Sequence, residues 1–460
     1  MKKDYFKNKN ILILGAGISG ISAAEVLSAH GANVTLSDTK ERKDLKSPIH
    51  ILDKTSVNLS LGKQDENLLE KIDYLVLSPG ISINIPLVKK AINKKVTVMS
   101  EIEAAYRLCE AKIIAVTGTN GKTTTTTLLG EMVKTTNKKV AVGGNIGIGL
   151  SKEVIDIPQD GLVVAEISSY QLECISTFNP HIALILNITP DHIERHGSIE
   201  NYQKTKERIF ENQTTADYTI LNYDDDKTHE MRDRAKGRII YFSRKENLEN
   251  MNSIFVKDGQ LRVSLNIDNA KTNIDICNVD DIKIRGNHNL ENVLAASIAA
   301  FLVGVTRENI AHVLKTFEGV EHRIEPTATI NGVSYFNDSK ATNPESTIKA
   351  LESFPKNIIL IAGGRDKNTN LDTFLNLVKE RVDEFILLGE SKERFYNEAT
   401  KHNIKNIHQV DTFREAVELA HNLAKEPQIV LLSPACASFD MFDNYEQRGE
   451  EFKKLVRSLA

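Results

Sequence analysis

Ile113-Ile114-Ala115-Val116-Thr117-Gly118-Thr119-Asn120-Gly121-Lys122-Thr123-Thr124-Thr125 is the stretch on which the reading of this 460-residue chain turns. Residues 113–116 form an apolar run that reads as a buried strand, and 124–133 read as a helix. Strand, glycine-rich loop and helix in that order make a phosphate cradle. Gly118 and Gly121 let backbone N–H groups approach phosphate oxygens closely, and the helix N-terminus adds partial positive charge. Lys122 can reach the β- and γ-phosphates, and the Thr123 hydroxyl can ligate Mg²⁺. The strict phosphate-loop pattern asks for a glycine where Val116 stands, so a shortened variant is expected. The bland alternative is a turn that happens to contain Gly-Lys-Thr. The flanking strand and helix argue against it, and Gly118, Thr119, Asn120, Gly121, Lys122, Thr123 and Thr124 are read as ATP-binding.

Outward from this loop, strand and helix signals alternate. Toward the N-terminus, strands are expected at 11–14, 33–37 and 74–77, with a helix over 18–29 that Gly31 terminates. Toward the C-terminus come strands at 139–142, 162–165 and 182–186, then short β patterns such as 238–242 and 253–256 broken by polar turns. A small antiparallel addition is expected within 216–285, followed by a helix over 290–302. A third unit has strands at 334–337, 358–362, 385–388, 407–410 and 429–432, separated by helices such as 412–425. Such alternation implies parallel, doubly wound sheets. The fold class is therefore α/β with three domains: an N-terminal Rossmann-like parallel sheet, a central P-loop ATPase-like sheet with a small antiparallel addition, and a C-terminal Rossmann-like sheet. The expected domains are residues 1–105, 106–321 and 322–460.

Gly15-Ala16-Gly17-Ile18-Ser19-Gly20 is a second glycine-rich turn, and Asp38 ends the following strand. On its face this is a dinucleotide fingerprint with a ribose-binding acid, although the same turn holds any nucleotide diphosphate or is a purely structural tight turn. Ser78-Pro79-Gly80 is a turn at the carboxyl end of another strand, the edge where open α/β sheets bind ligands.

The balance of 58 Lys plus Arg against 62 Asp plus Glu leaves a net charge of −4, without the basic footprint of a nucleic-acid binder. The four cysteines are dispersed with no CxxC pair, so neither a disulfide framework nor a structural zinc site is expected. No apolar run approaches the roughly 20 residues that span a bilayer, and the N-terminus lacks the apolar core of a signal peptide. A cytoplasmic protein is expected.

The loop at 118–123 and a series of later strings resemble the Mur ligase family of ATP-dependent amide-forming enzymes. The strings are Gly143-Gly144-Asn145-Ile146-Gly147, Glu166-Ile167-Ser168-Ser169-Tyr170-Gln171-Leu172-Glu173, Asn187-Ile188-Thr189-Pro190-Asp191-His192, His288-Asn289-Leu290-Glu291-Asn292 and His322-Arg323. Asn337-Asp338-Ser339-Lys340-Ala341-Thr342-Asn343 and Ser433-Pro434-Ala435-Cys436-Ala437-Ser438-Phe439-Asp440 follow, running on to Glu446-Gln447-Arg448-Gly449. The resemblance spans essentially the whole chain, in the family's order. The last two long strings are similar to those of the member that adds D-glutamate.

That resemblance implies a reaction. ATP phosphorylates the carboxylate of UDP-N-acetylmuramoyl-L-alanine, and the D-glutamate amine attacks the acyl phosphate. An amide forms, with release of ADP and phosphate, in cytoplasmic peptidoglycan precursor synthesis. Two anions must meet, so metal ions and cationic side chains are needed to relieve the repulsion. By resemblance Lys122, Glu166, His192 and Lys206 are catalytic. Thr123, Glu166, His192 and Lys206 are metal ligands for two Mg²⁺ ions, Lys206 if carbamylated, because an unmodified ammonium would repel the cation. From residue type alone Lys206 would be an ordinary surface lysine. Asn289, Asn292, Arg323 and Asp338 complete the ATP site. Ser19, Asp38, Thr39, Ser78, Gly80, Asn145 and His192 bind the UDP substrate, which replaces the nicotinamide reading of the first domain. Lys340, Thr342, Lys367, Ser438 and Tyr445 bind D-glutamate. Cys436 invites a nucleophile reading, yet acyl-phosphate chemistry needs no thiol, and a small buried residue is expected there. The partners are small-molecule substrates, with no nucleic acid and no membrane, and a monomer is expected. An NAD-dependent oxidoreductase built on Gly15–Gly20 would leave the phosphate loop and Glu166 without a task. A non-catalytic nucleotide sensor would have no need of Lys122, Glu166, His192 and Lys206 together.

Overall fold

Ile11 and Ile13 point into one core with Phe6, Val34, Leu36 and Val76, while Leu12 and Leu14 point into another with Leu75, Leu77 and Val88. A strand buried on both faces reads as a continuous apolar run, which is why the central strands of this chain carry so strong a signal. The computed structural model describes residues 2–45, 47–366 and 368–459. Among them lie three sheets. The N-terminal sheet is all parallel, in the order Asn58–Leu61, Asn33–Asp38, Asn10–Leu14, Tyr74–Leu77, Thr97–Ser100.

The central sheet has nine strands: Ala270–Asn278, Gln260–Ile267, Ser253–Lys257, Arg238–Ser243, Tyr218–Asn222, Ile182–Ile185, Lys112–Thr117, Leu162–Glu166, Val140–Gly144. Lys112–Thr117 sits between Leu162–Glu166 and Ile182–Ile185, with parallel pairing on both sides. The chain leaves it toward one edge and returns on the other side, so its carboxyl end is a topological switch point. The antiparallel addition is narrower than the expected 216–285. Tyr218–Asn222 and Arg238–Ser243 pair in parallel and continue the main sheet, and only the last three strands, from Ser253 onward, alternate. They extend the sheet instead of forming a separate one.

The C-terminal sheet runs Glu325–Ile330, Val333–Asn337, Ile429–Leu432, Ile358–Gly363, Val382–Leu388, Ile407–Gln409. Only the Glu325–Ile330 edge strand is antiparallel. Ile359 and Ile361 face one core, Ile358 and Leu360 the other.

The three sheets fall into two compact units. One comprises Met1–Ile282 and Asn289–Phe317 and holds the first two sheets; the other comprises Lys283–His288 and Glu318–Ala460. Within the first unit, buried carboxylates join the sheets. Glu103 accepts from the backbone N–H groups of Ser176, Thr177 and Phe178 at 2.9–3.1 Å. Glu101 Oε1 accepts from Ser151 N at 2.7 Å and Ser151 Oγ at 2.6 Å, and burial raises this carboxyl above its ordinary value. In the second unit, a Cβ at Gly286 would lie 3.1 Å from Ser353 Oγ, so the 283–288 segment is packed tightly against that neighbour. Among the described residues no helix is long and apolar enough to cross a membrane.

Candidate active site

The phosphate loop leaves the Lys112–Thr117 strand and enters the helix Lys122–Lys134 through Gly121, whose φ of +86° favours glycine. A Cβ there would also lie 2.2 Å from Asn292 Oδ1. Gly121 caps the helix without a side-chain hydrogen bond, which leaves first-turn N–H groups for an anion. The loop is pinned by the segment after the neighbouring strand. Asn120 N donates to Asn187 Oδ1 at 2.9 Å, Asn187 Nδ2 donates back to Asn120 O at 3.1 Å, and Thr119 N donates to Asn187 O at 3.0 Å. Thr189 N and the Tyr202 hydroxyl both donate to Thr119 Oγ1. Thr123 is half-buried and Thr124 buried in the first helical turn.

Two lysines converge on this loop. Lys122 Nζ donates to Gly118 O at 2.9 Å and Thr119 O at 2.7 Å; Lys206 Nζ donates to the same Gly118 O at 2.8 Å and lies 4.8 Å from the centre of the Tyr202 ring. Lys206 is 1% exposed, not the surface lysine its residue type suggests. Burial, and then the Lys122 charge, hold it well below the ordinary lysine value, with Asp191 and Glu166 opposing. Burial lowers Lys122 as well, against the same two carboxylates.

Glu166 ends the strand beside the loop, in register with Val116. Its Oε1 accepts from Asn145 Nδ2 at 2.8 Å, and its Oε2 is buried with no hydrogen-bond partner. A buried, unsatisfied carboxylate oxygen at the edge of a phosphate loop fits a divalent cation, which prefers oxygen ligands. His192 follows the other neighbouring strand at a φ of +52°. Its Nδ1 meets the Tyr170 hydroxyl at 2.7 Å, and its Nε2 lies 3.5 Å from Asp191 Oδ2. Asp191, Tyr170 and Asn187 were not singled out from sequence. Tyr170 meets His192 across 22 residues and Asn187 meets Asn120 across 67, whereas Asp191 sits beside His192 in the chain. Asn292 is buried beneath the loop helix, accepting from Thr125 Oγ1 at 3.2 Å, and its Nδ2 donates to Asn289 Oδ1 at 3.3 Å.

In the N-terminal sheet, Asp38 accepts from Ala16 N at 2.8 Å and from Lys40 N at 2.9 Å, so its carboxylate buttresses the glycine turn from beside it. Ser78 Oγ donates to Gly15 O at 2.8 Å. A Cβ at Gly20 would lie 2.0 Å from Gly15 O, whereas one at Gly17 would meet nothing within 4 Å. Gly15 and Gly20 therefore serve the turn, and Gly17 leaves open space above an uncapped helix start. Thr39 and Gly80 are exposed and Ser19 half-buried around that opening.

In the second unit, Arg323 Nη1 lies 3.4 Å from Asp338 Oδ1, which also accepts from Ile324 N; Asp338 Oδ2 accepts from Ser433 Oγ at 2.7 Å. Asp338 is wholly buried, and burial raises its carboxyl despite Arg323. His322 and Ile324 flank the arginine at φ of +63° and +46°. For a β-branched residue such a conformation is strained, and strain of this kind concentrates at functional loops. Lys340 Nζ donates to the Tyr445 hydroxyl at 3.0 Å. Thr342 is half-buried and Ser438 buried on loops at the same sheet edge. Lys367 lies outside the described residues. Cys436 is fully buried and its thiol is pushed up to about 12 by that burial, which makes it inert as a nucleophile.

Comparison with known proteins matches the chain to a family. The family model of the MurD-like N-terminal Mur ligase domain matches residues 9–100, that of the Mur ligase middle domain 116–300, and that of the Mur ligase glutamate ligase domain 322–436. The UDP-N-acetylmuramoylalanine–D-glutamate ligases of Thermoanaerobacter sp. strain X514 and Thermoanaerobacter pseudethanolicus are 48% and 47% identical to the chain over 455 residues, covering 98% of it and 99% of each relative. Among solved structures, the UDP-N-acetylmuramate–alanine ligase of Thermotoga maritima superposes with a TM-score of 0.61 at 19% identity, covering 98% of this chain and 100% of that one. At that identity the likeness speaks for the fold alone. With consecutive family models along the chain and relatives matched over nearly its full length, the chain belongs to the Mur ligase family.

Proposed function

We propose that the protein is the ATP-dependent ligase that adds D-glutamate to UDP-N-acetylmuramoyl-L-alanine in peptidoglycan precursor synthesis. The observation that carries this reading is the full-length likeness to relatives of that name, joined to a phosphate loop on which two lysines converge beside a buried, unsatisfied carboxylate oxygen.

Each part of the chain has a task under this reading. Residues 1–105 hold the UDP group at the uncapped helix start beyond Gly17, with Ser19, Asp38, Thr39, Ser78 and Gly80 around it. Residues 106–321 bind ATP. Loop N–H groups and Lys122 take the phosphates, and Asn289 and Asn292 lie toward the base. Residues 322–460 supply Arg323 and Asp338 to the nucleotide and Lys340, Thr342, Lys367, Ser438 and Tyr445 to D-glutamate. Asn145 and His192 lie toward the reacting carboxylate. Thr123, Glu166, His192 and carbamylated Lys206 hold two Mg²⁺ ions; when bound, the cations neutralise charge between the γ-phosphate and the substrate carboxylate. Lys206 would become an anion by carbamylation, its neutral amine adding CO₂ to form an N–C bond and releasing a proton, and burial, which lowers the ammonium, favours that neutral amine. The amine of D-glutamate must be neutral to attack, and water must be excluded because it would hydrolyse the acyl phosphate. The protein works as a cytoplasmic monomer.

The test is ADP release with purified full-length protein, omitting UDP-N-acetylmuramoyl-L-alanine and D-glutamate in turn. Turnover should need both, and L-glutamate should not replace the D-isomer. Equal turnover with L-glutamate, or with the UDP substrate left out, would overturn the assignment.

A further inference from the structure

Arg448 has no task in the reading above, yet it is 1% exposed in the first turn of the helix Tyr445–Arg457. Every hydrogen bond it makes runs to an uncharged group. Nε donates to Ser339 Oγ at 2.9 Å, Nη2 to Ser339 O at 2.7 Å, and both Nη1 and Nη2 to Cys436 O at 3.2 Å. Among the described residues it forms no ion pair. Asp338 and Asp440 act on it only from a distance, and burial draws the guanidinium down to about 10. A buried charge without a direct counter-charge is costly to a fold, so what the arginine holds needs a reason.

It holds the loops assigned to the amino-acid substrate. Ser339 precedes Lys340 and Thr342; Cys436 precedes Ser438. Nη1 would lie 3.4 Å from a Cβ at Gly364, at the start of the third loop of this sheet edge, and Arg365 and Ala437 bridge the second and third loops through backbone hydrogen bonds of 2.8 and 3.0 Å. The contact continues outward: Ser339 Oγ donates to Tyr445 O at 2.8 Å, and the Tyr445 hydroxyl accepts from Lys340 Nζ. One guanidinium thus ties two strand ends by hydrogen bonds, lies close to the backbone of a third at Gly364, and carries its positive charge into the first turn of the helix.

We propose that Arg448 is a positioning and specificity-determining residue for the amino-acid substrate: its fork sets the loops carrying Lys340, Thr342 and Ser438 relative to one another, and its unpaired charge favours a dicarboxylate over a monocarboxylate. The inference rests on the assignment of these loops to D-glutamate. A neutral side chain in its place would keep the apolar packing but lose both the fork and the charge. A lysine would keep the charge alone.

Full-length Arg448→Gln and Arg448→Lys proteins test this. Melting temperature, kcat and the KM of each substrate would be measured, with D-glutamine as a competing substrate. In Arg448→Gln the KM for D-glutamate should rise about tenfold or more while those for ATP and the UDP substrate stay within about twofold. The preference for D-glutamate over D-glutamine should narrow. Arg448→Lys should keep that preference and recover part of the KM. Equal loss for all substrates, a fall in kcat alone, or a lysine variant no better than glutamine would overturn the proposal. So would failure of both variants to fold, because the arginine would then serve stability only. If the unaltered protein ignores D-glutamate, the assignment of function fails, a result separable from these.

Discussion

Lys206 and Lys122 both donate to one carbonyl oxygen, that of Gly118; Lys206 is buried and Lys122 half-buried. Two cations in so small a volume are poorly matched to each other and well matched to an anion between them. A carbamate on Lys206 would supply one charge and the ATP phosphates more. Lys206→Ala should therefore lower ADP release by about a hundredfold or more, with melting temperature little changed. Acetate or another short-chain carboxylate should restore part of it by filling the vacated space. Loss of activity with no rescue at any carboxylate concentration would count against an anion at that position. Glu166 belongs to the same argument. Its unsatisfied Oε2 is costly where it stands, and that cost disappears only with a ligand.

At the scale of elements, the glycine turn after Asn10–Leu14 separates shape from binding. Gly20→Ala drives a Cβ into Gly15 O and should destabilise the first unit by more than about 2 kcal/mol. Gly17→Ala meets no atom within 4 Å and has ordinary backbone angles, so it should melt like the unaltered protein. Its added methyl stands where the UDP diphosphate would approach, and the KM for that substrate should rise about tenfold. Equal melting losses for both variants would refute the division of labour. The seam at Ser151 gives a pH signature. Burial raises Glu101 above its unfolded value, so the fold favours the protonated carboxyl. That contribution is complete below the ordinary carboxylate range and vanishes as pH climbs through the elevated folded value. Glu101→Gln removes the dependence, and its advantage in melting temperature should grow from about pH 5 to about pH 8. Parallel curves would refute it. These elements also explain what could be read in advance. Ile11–Leu14 and Ile358–Ala362 were legible because both faces are buried. Asn58–Leu61, Thr97–Ser100 and Glu325–Ile330 were missed because edge strands carry polar side chains and lack the apolar run. Tyr218–Asn222 was absorbed into the expected addition because a polar residue closes it and polar turns follow. Motif residues such as Lys122 and Glu166 announced themselves by their neighbours in the chain. Asn292 against Gly121, Asp38 on Ala16 and Arg448 on Ser339 did not, because their partners are remote in sequence and only the fold supplies the pairing.

For the whole molecule, three sheets but two compact units mean that stability is not one quantity. Scanning calorimetry should resolve two transitions. The UDP substrate should raise the one belonging to the unit with the N-terminal and central sheets, and D-glutamate the other, each by mass action. A single transition that shifts equally with either ligand would show the units to be one cooperative body. The boundary between units has a further consequence. Residues Lys283–His288 belong to the second unit, although they are bracketed on both sides by chain of the first. On the ribosome this short segment is made well before the residues it packs on. Ser353 lies tight against Gly286, and His288, its ring drawn down to about 3 by burial with Arg323 and Lys349 adding to the effect, has no place to settle until those side chains emerge. The first unit, for its part, cannot close until Asn289–Phe317 has passed the segment by. The two folding reactions are therefore interleaved in time, and a ribosome halted once Phe317 has cleared the exit tunnel displays a finished unit carrying an orphaned fragment of the next.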